Sequence, residues 1–177
     1  MKNGALILQN LPINTLRNNL YIMAFIVESK IQINTPVDWV WQTLSDFETY
    51  DQWNPFTPKI EISQNIGSDV ILHVRMNPQS SKIIKQKETL LVWEEPQQID
   101  WGITNSMFLD TVRTQRLRTL DAMTTEYYTS DIIKGPISLL VKWGFQKKIK
   151  HGFDQVALSL KNEAERRYKA SVAASTT

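Results

Sequence analysis

The feature that most constrains this chain is a long amphipathic helical pattern that follows a series of strand patterns. From Pro136 to about Arg167, apolar residues recur at three- and four-residue steps, and basic residues fall mostly between them. The apolar stripe covers about 25 residues, or about 35 Å at the rise of an α-helix. Only the concave face of a bent sheet covers so long a stripe. A sheet that curls around a helix leaves an apolar hollow, so we expect a cavity for a small molecule.

Seven segments before this helix have the alternation or the turn boundaries of strands. The first runs from Phe25 to Ile33 and the last from Thr124 to Ile133. Between them lie segments 59–64, 69–76, 82–93, 98–103 and 111–120. Short turns join them, which favours antiparallel pairing. One short helix starts after Thr35-Pro36 and a second covers Phe47 to Tyr50. The sequence predicts an α+β fold, in which a curved antiparallel sheet of about seven strands wraps around a long C-terminal helix.

Three segments carry a resemblance to a known superfamily. They are the strand into Asn34–Trp41 with Leu44 and Asp46, the run Tyr50-x-x-Trp53-Asn54-Pro55-Phe56, and Leu120-Asp121 with the following strand, Gly135 and the long helix. In these segments, between about residues 24 and 165, the chain resembles the START-like helix-grip (SRPBCC) superfamily, in its polyketide cyclase/dehydrase and lipid-transport branch. The resemblance implies a deep cavity between sheet and helix for lipids, polyketides, sterols, quinones or plant hormones. Many members of the superfamily bind without chemistry, and some cyclise or dehydrate.

The length of 177 residues suits one domain. We expect residues 25–168 to form that START-like domain, residues 1–24 to be a loose N-terminal extension and residues 169–177 to be a frayed tail. Gln9 and Asn10 interrupt the first apolar run, so the extension makes a poor signal peptide. Met23, directly before the first strand, is a candidate for the start of the domain.

Composition narrows the classes of partner and cofactor. The chain has no cysteine, which excludes disulfides, thiol catalysis and cysteine-bound zinc and fits the reducing cytoplasm.

The net charge of +2 does not argue for nucleic acid, and no apolar run approaches the roughly 20 residues that span a bilayer. His73 and His151 lack neighbouring ligands, so we expect no metal, and the sequence indicates no cofactor. Acidic residues interleave with the basic face of the last helix, which favours a solvated surface and leaves peripheral membrane contact open. The oligomeric state is not predicted.

The last hairpin supplies the candidates for chemistry. If Leu120 pairs with Thr125, then Arg116, Tyr127 and Asp131 share one face. With that face inward, the three side chains could steer and protonate an enol intermediate, with Asp131 as the base. The alternative is a solvated polar face, with the opposite face of the hairpin in the core.

The expected ligand contacts come from a loop, a short strand, the last hairpin and the long helix. They are Trp53, Asn54, Phe56, Trp101, Arg116, Arg118, Tyr127 and Phe145. We interpret the loop of Trp53 to Phe56 as a hydrophobic plug at one end of the core, with a gate over the cavity as the alternative. In relatives, His or aromatic residues often face the cavity where this chain has Arg116 and Arg118, which argues against a purely apolar ligand.

Three functions compete. The first is binding or transport of a small hydrophobic or amphipathic molecule, because the sequence contains no catalytic constellation of a known kind. The second is a cyclase or dehydratase that uses the same cavity. The third is an interaction module that docks on a membrane or another macromolecule.

Overall fold

A single antiparallel sheet and one long helix dominate the computed structural model, which describes residues 24–77 and 80–175. The strands are β1 (Ala24–Ile33), β2 (Lys59–Ile62), β3 (Asp69–Val74), β4 (Ile84–Glu94), β5 (Gln98–Ile103), β6 (Asp110–Asp121) and β7 (Thr124–Lys134). They are ordered β1-β7-β6-β5-β4-β3-β2, and every neighbouring pair is antiparallel. The predicted helix-grip fold is confirmed. The proposed N-terminal extension, apart from Ala24, lies outside the described residues.

The two short helices follow β1, as predicted. Helix α1 spans Val37–Ser45, and a 3₁₀ turn at Phe47–Thr49 leads directly into helix α2, Tyr50–Trp53. Helix α1 buries Val40 and Leu44 against the core. Both short helices contact the C-terminal helix.

The C-terminal helix α3 runs from Ser138 to Ala174 and is longer than predicted. Its 37 residues span about 55 Å. The expectation of a frayed tail from residue 169 is wrong for residues 169–174, which are helical. Tyr168 packs edge-on against Trp39 with ring centroids 5.8 Å apart, and the alanine-rich end of the chain favours helix.

The core lies between the concave face of the sheet and one stripe of α3. From the sheet, alternate residues of each strand point toward the helix, as the burial of Phe25, Val27 and Ile33 on β1 shows. From α3, the buried stripe consists of Ile149, Phe153, Val156, Ala157, Leu160 and Ala164. None of the helices in the described part of the chain is long and apolar enough to cross a membrane.

Polar contacts connect α3 to the rest of the domain between Asp154 and Arg167. Ser29 Oγ donates to Asp154 Oδ1 at 2.7 Å, and the Asn34 backbone N–H donates to Glu165 Oε1 at 2.8 Å. Further along, Arg167 Nη1 lies 2.8 Å from Asp46 Oδ2 in an ion pair. These three contacts hold α3 at Asp154, Glu165 and Arg167.

The space around two glycines of α3 shows how closely the helix packs against the loop before β2. A Cβ built on Gly152 lies 2.2 Å from Phe56 Cδ2, whereas a Cβ on Gly144 meets nothing within 4 Å. We expect Gly152→Ala to lower the free energy of unfolding by about 1–3 kcal/mol through overpacking. Gly144→Ala is the matched control and should raise it by about 0.5–1 kcal/mol through helix propensity. Urea unfolding of both variants checks this, and a stabilising Gly152→Ala would contradict the close contact.

Candidate functional site

A cavity of about 220 Å³ lies between the first half of α3 and the concave face of the sheet. Most of its lining is apolar: Phe56, Leu72, Val74, Met76, Ile84, Leu109, Ile133, Val141, Phe145, Ile149 and Phe153. The remaining lining residues are polar and come from β4, β6 and β7: Gln86, Glu88, Thr111, Arg113 and Asp131. A wider surface groove of about 700 Å³ runs along β2, but none of its charged side chains is buried. The cavity under α3, with its buried charged side chains, is therefore the candidate site.

The register of the last hairpin differs by one residue from the prediction. A bulge between Thr119 and Asp121 makes Thr119, rather than Leu120, the partner of Thr125. Because side chains alternate along a strand, a slip of one residue exchanges the two faces of β6 relative to β7. As a result Asp131 and Tyr127 still face the helix, but residues 116 and 118 do not.

Arg116 and Arg118 lie on the outer face of the sheet, and the prediction that they face the cavity is wrong. Arg116 Nε donates to Gln98 Oε1 at 2.9 Å, and Arg118 Nη2 lies 3.0 Å from Glu126 Oε1 in an ion pair. Both arginines are exposed. The predicted trio of Arg116, Tyr127 and Asp131 is therefore not assembled on one face.

Arg113 is the cation that the cavity contains, and the sequence reasoning missed it. It pairs directly with Asp131 across β6 and β7, which places the two Cβ atoms about 5 Å apart. Its side chain is only 8% exposed, and its guanidinium carbon lies 4.2 Å from the centroid of the Phe153 ring and 5.9 Å from that of Trp101. These contacts are cation–π interactions, which hold the guanidinium against the cavity floor.

Two carboxyl groups share the cavity with Arg113. Glu88 is 6% exposed, and burial raises its pKa to about 7, with the nearby Asp131 charge adding to the rise and Arg113 opposing it. Burial raises the pKa of Asp131 to about 6, again against the effect of Arg113. Both groups therefore change protonation near neutral pH, where groups that transfer protons are most effective.

Several polar atoms of this cluster have no hydrogen-bond partner among the described residues. They are Glu88 Oε2, Asp131 Oδ1 and Arg113 Nε. On the other side of its carboxyl group, Glu88 Oε1 accepts a hydrogen bond from Gln86 Nε2 at 2.6 Å. Unpartnered buried polar atoms are costly, and in folded proteins they are commonly satisfied by water or a ligand.

Tyr127 and Trp101, two of the predicted ligand contacts, do not line the cavity as the structure describes it. Both are almost fully buried. The Tyr127 hydroxyl donates to Gln115 Oε1 at 2.9 Å, and burial raises its pKa. Trp101 lies against Arg113. They support the floor of the cavity instead of forming its surface.

The loop of Trp53 to Phe56 combines a structural part and a lining residue. Trp53 packs against Tyr50 with ring centroids 4.6 Å apart, and Asn54 Oδ1 accepts the backbone N–H groups of Phe56 and Thr57 at 3.2 and 2.8 Å. This turn holds Phe56 in the cavity wall, where its ring meets that of Phe153. Phe145 lines the cavity from α3 and is partly exposed, so it lies at the mouth.

The raised pKa of Glu88 gives stability a pH dependence. Between about pH 4.5 and pH 7 the folded state holds a proton that the unfolded chain has lost, so the free energy of unfolding falls as pH rises. The contribution of this group amounts to up to about 3 kcal/mol. We expect Glu88→Gln to stabilise the protein at about pH 8 by up to that amount and to have little effect at about pH 4. Urea unfolding at several pH values measures this.

Glu94→Gln, an exposed carboxyl on the same strand, is the control for that measurement. It should change the free energy of unfolding by less than about 0.5 kcal/mol at both pH values. If Glu88→Gln also left the pH dependence unchanged, the carboxyl group of Glu88 would not titrate in the desolvated state described above.

Comparisons with known proteins agree with this fold. The profile of the family described as polyketide cyclase / dehydrase and lipid transport matches residues 24–165. No functionally curated protein matches the chain. Among solved structures, the Zhui aromatase/cyclase from Streptomyces sp. R1128 superposes with a TM-score of 0.68 at 20% identity, covering 84% of this chain and 98% of that one.

Two further structures are similar. A START superfamily protein from Mycobacterium smegmatis has a TM-score of 0.60 at 17% identity, with 80% of this chain and 97% of that chain covered. The di-domain ARO/CYC StfQ from the steffimycin biosynthetic pathway has a TM-score of 0.66 at 9% identity, with 86% of this chain and 55% of that chain covered. At these identities the structural likeness shows the fold alone. Because the family profile covers most of its length, the chain belongs to the polyketide cyclase / dehydrase and lipid transport family.

Proposed function

We propose that this protein binds a small amphipathic molecule in the cavity between the sheet and α3. The observation that carries the proposal is the pairing of apolar walls with a buried polar floor. Three polar atoms of that floor, on Glu88, Arg113 and Asp131, have no partner among the described residues. Ligand sites in proteins commonly combine an apolar lining with a few convergent polar groups and shifted pKa values.

The volume of the cavity limits the size of the enclosed part of the ligand. At about 220 Å³ it exceeds the roughly 150 Å³ of an engineered cavity that binds benzene, and it is smaller than most drug-binding pockets. One or two fused rings, or a short branched chain, fit this space. A longer ligand would extend through the mouth beside Phe145 and Ile84, both of which are partly exposed.

The polar floor favours a neutral head group. Near neutral pH, Glu88 with a pKa of about 7 is divided between its protonated and charged forms, while Asp131 is mostly charged beside Arg113. The floor therefore offers both donors and acceptors. A ligand carboxylate would add a negative charge to a floor in which the Asp131 carboxylate already balances Arg113 and Glu88 is partly charged, which is unfavourable in a desolvated site. A hydroxyl, phenol or ketone suits the floor better.

The test is to identify and then titrate the ligand. Organic extraction of the purified protein followed by mass spectrometry should release a compound with these properties in stoichiometric amount. Tryptophan fluorescence should also report binding from a panel of naphthols, quinones, sterols and fatty alcohols. A protein that carries no compound and responds to none of the panel would overturn the proposal.

Two tryptophan variants, one at the cavity and one outside it, test whether the compound binds in the cavity. Ile84→Trp places a large side chain at the partly exposed mouth and should weaken binding of the identified compound at least tenfold. Ile66→Trp makes the same change in an exposed turn outside the cavity and should leave affinity unchanged. Equal affinities for both variants would place the compound elsewhere on the protein.

A second candidate is a dehydratase or cyclase, which the two raised pKa values beside Arg113 favour. In the dehydration of a β-hydroxy ketone, the Asp131 carboxylate would remove the proton next to the carbonyl, and Arg113 would stabilise the enolate oxygen. Protonated Glu88 would give its proton to the departing hydroxyl, which leaves as water. Arg113 and Glu88 here replace the outward-facing Arg116 and the hydrogen-bonded Tyr127 of the hypothesis from sequence.

Turnover separates the two candidates. The enzyme hypothesis expects wild-type protein to release water from a β-hydroxy ketone whose chain bears an aromatic ring, followed by absorbance of the conjugated product. Asp131→Asn should abolish that turnover while keeping affinity for the substrate within a few fold. Binding without turnover in the wild type would leave the carrier function as the proposal that stands.

A further inference from the structure

An exposed apolar surface lies where the loop before β6 meets the start of α3. We call this surface the apolar patch and define it by Met107, Phe108, Leu139, Leu140 and Trp143. Trp143 is 92% exposed, Met107 76% and Leu140 69%. The two segments touch, because the Ile137 backbone N–H donates to the Phe108 carbonyl oxygen at 3.4 Å. The patch is therefore one surface formed by two elements.

The apolar side chains of this patch do not belong to the core stripe of α3. At 3.6 residues per turn, Leu140 and Trp143 point away from the face on which Ile149 and Phe153 pack against the sheet. Single exposed apolar residues are ordinary on protein surfaces. Five together, including a nearly fully exposed tryptophan, are typical of an interaction surface.

Lysines border the patch. They are Lys134 at the end of β7 and Lys142, Lys147 and Lys148 on α3. None of the four forms a salt bridge with a residue in the described ranges, whereas the next lysine, Lys150, pairs with Asp154. Asp110, the acidic residue at the end of the loop, accepts a hydrogen bond from the Ser106 backbone N–H. Asp110 is also the cross-strand partner of Lys134, so the border combines four lysines with one aspartate and its net charge is positive.

We propose that the apolar patch docks this protein on the surface of a membrane that contains anionic lipid. Tryptophan and leucine side chains insert at the boundary between head groups and acyl chains, and flanking lysines are attracted to anionic head groups. Phe108 and Leu140 belong to the patch, while their sequence neighbours Leu109 and Val141 line the cavity. Docking through the patch therefore brings the part of the cavity that is lined by Leu109 and Val141 close to the bilayer. This inference concerns where the protein sits and does not depend on the identity of the ligand.

Vesicle flotation tests the inference directly. The full chain should float with vesicles of equal parts phosphatidylcholine and phosphatidylglycerol at low salt, and at least tenfold less with phosphatidylcholine alone. Adding salt should weaken flotation, because the attraction of lysines to the vesicle surface is screened. Failure to float with the anionic vesicles at low salt, or equal flotation with both kinds, would overturn the proposal.

Matched variants assign the binding to the patch. The double variant Leu140→Ala with Trp143→Ala should reduce flotation at least tenfold, as should Lys147→Glu with Lys148→Glu. The controls are exposed positions further along the same helix. Leu158→Ala lies about 22 Å beyond Trp143, and Lys169→Glu lies about 32 Å beyond Lys148; both should float like wild type. Circular dichroism checks that each variant is folded.

The other partner that could cover the apolar patch is a second copy of this chain, and light scattering of the wild type tests for such a dimer. A dimer that the double variant Leu140→Ala with Trp143→Ala converts to a monomer would show that a second copy covers the patch, and would overturn docking on lipid. A wild-type protein that is monomeric without vesicles supports it.

Discussion

Replacing Arg113 by methionine is expected to lower the free energy of unfolding by about 3 kcal/mol near neutral pH. Removing the cation leaves two buried carboxyl groups, Glu88 and Asp131, without the charge that opposes the rise of their pKa values. Methionine retains much of the apolar contact with Phe153 that the arginine makes, so the loss reports mainly on charge. At about pH 5 both carboxyls hold protons and the loss should be much smaller.

Arg116→Met is the matched control for this experiment. Arg116 lies three residues away on the same strand but faces outward, so its replacement should change stability by less than about 0.5 kcal/mol at either pH. Urea unfolding near neutral pH and at about pH 5 measures the change in the free energy of unfolding for each of the two variants. An equal loss for Arg113→Met at both pH values would mean that packing, and not charge balance, is what Arg113 supplies.

Phe153→Ala is expected to lower the free energy of unfolding by about 3–5 kcal/mol. Phe153 is almost fully buried, packs on Phe56 and lies under the guanidinium of Arg113, so its removal empties the centre of the interface between helix and sheet. The empty space joins the cavity that the ring now bounds. Part of the lost stability should return when a small aromatic molecule such as naphthalene occupies the enlarged space.

Phe108→Ala is the control for the loss of a phenyl ring. Phe108 is exposed, so its removal should cost less than about 0.5 kcal/mol. Thermal unfolding with and without naphthalene measures the rescue. A Phe153→Ala protein that is as stable as wild type would show that the helix does not rest on the sheet at this point.

The order and type of the elements follow from local patterns and were predictable. Alternation over Phe25 to Ile33 and the period of 3.6 after Pro136 reflect which faces are buried, and these patterns are visible without knowing any partner strand. The end of α3 was less predictable, because the helical residues 169–174 are stabilised in part by the packing of Tyr168 on the distant Trp39.

The site was harder to predict because it depends on pairing between strands. Phe56, Phe145 and Asp131 were identified in advance and do line the cavity. Arg113 was missed because a single bulge at Leu120 decides which arginines of β6 face inward, and no local pattern distinguishes that register from the regular one. Glu88 ends the polar run Lys85-Gln86-Lys87-Glu88, which resembles a solvated strand when the neighbouring strands are unknown.

The polar contacts of α3 are distributed unevenly along the helix, and this bears on how a ligand would reach the cavity. Hydrogen bonds and ion pairs hold the part of the helix from Asp154 to Tyr168, whereas the cavity lies under the part from Val141 to Phe153. Between Val141 and Phe153, the side chains that α3 directs into the cavity are all apolar. If the cavity binds a ligand as proposed, local opening of this part of the helix is a route for its entry, at a free-energy cost below that of global unfolding.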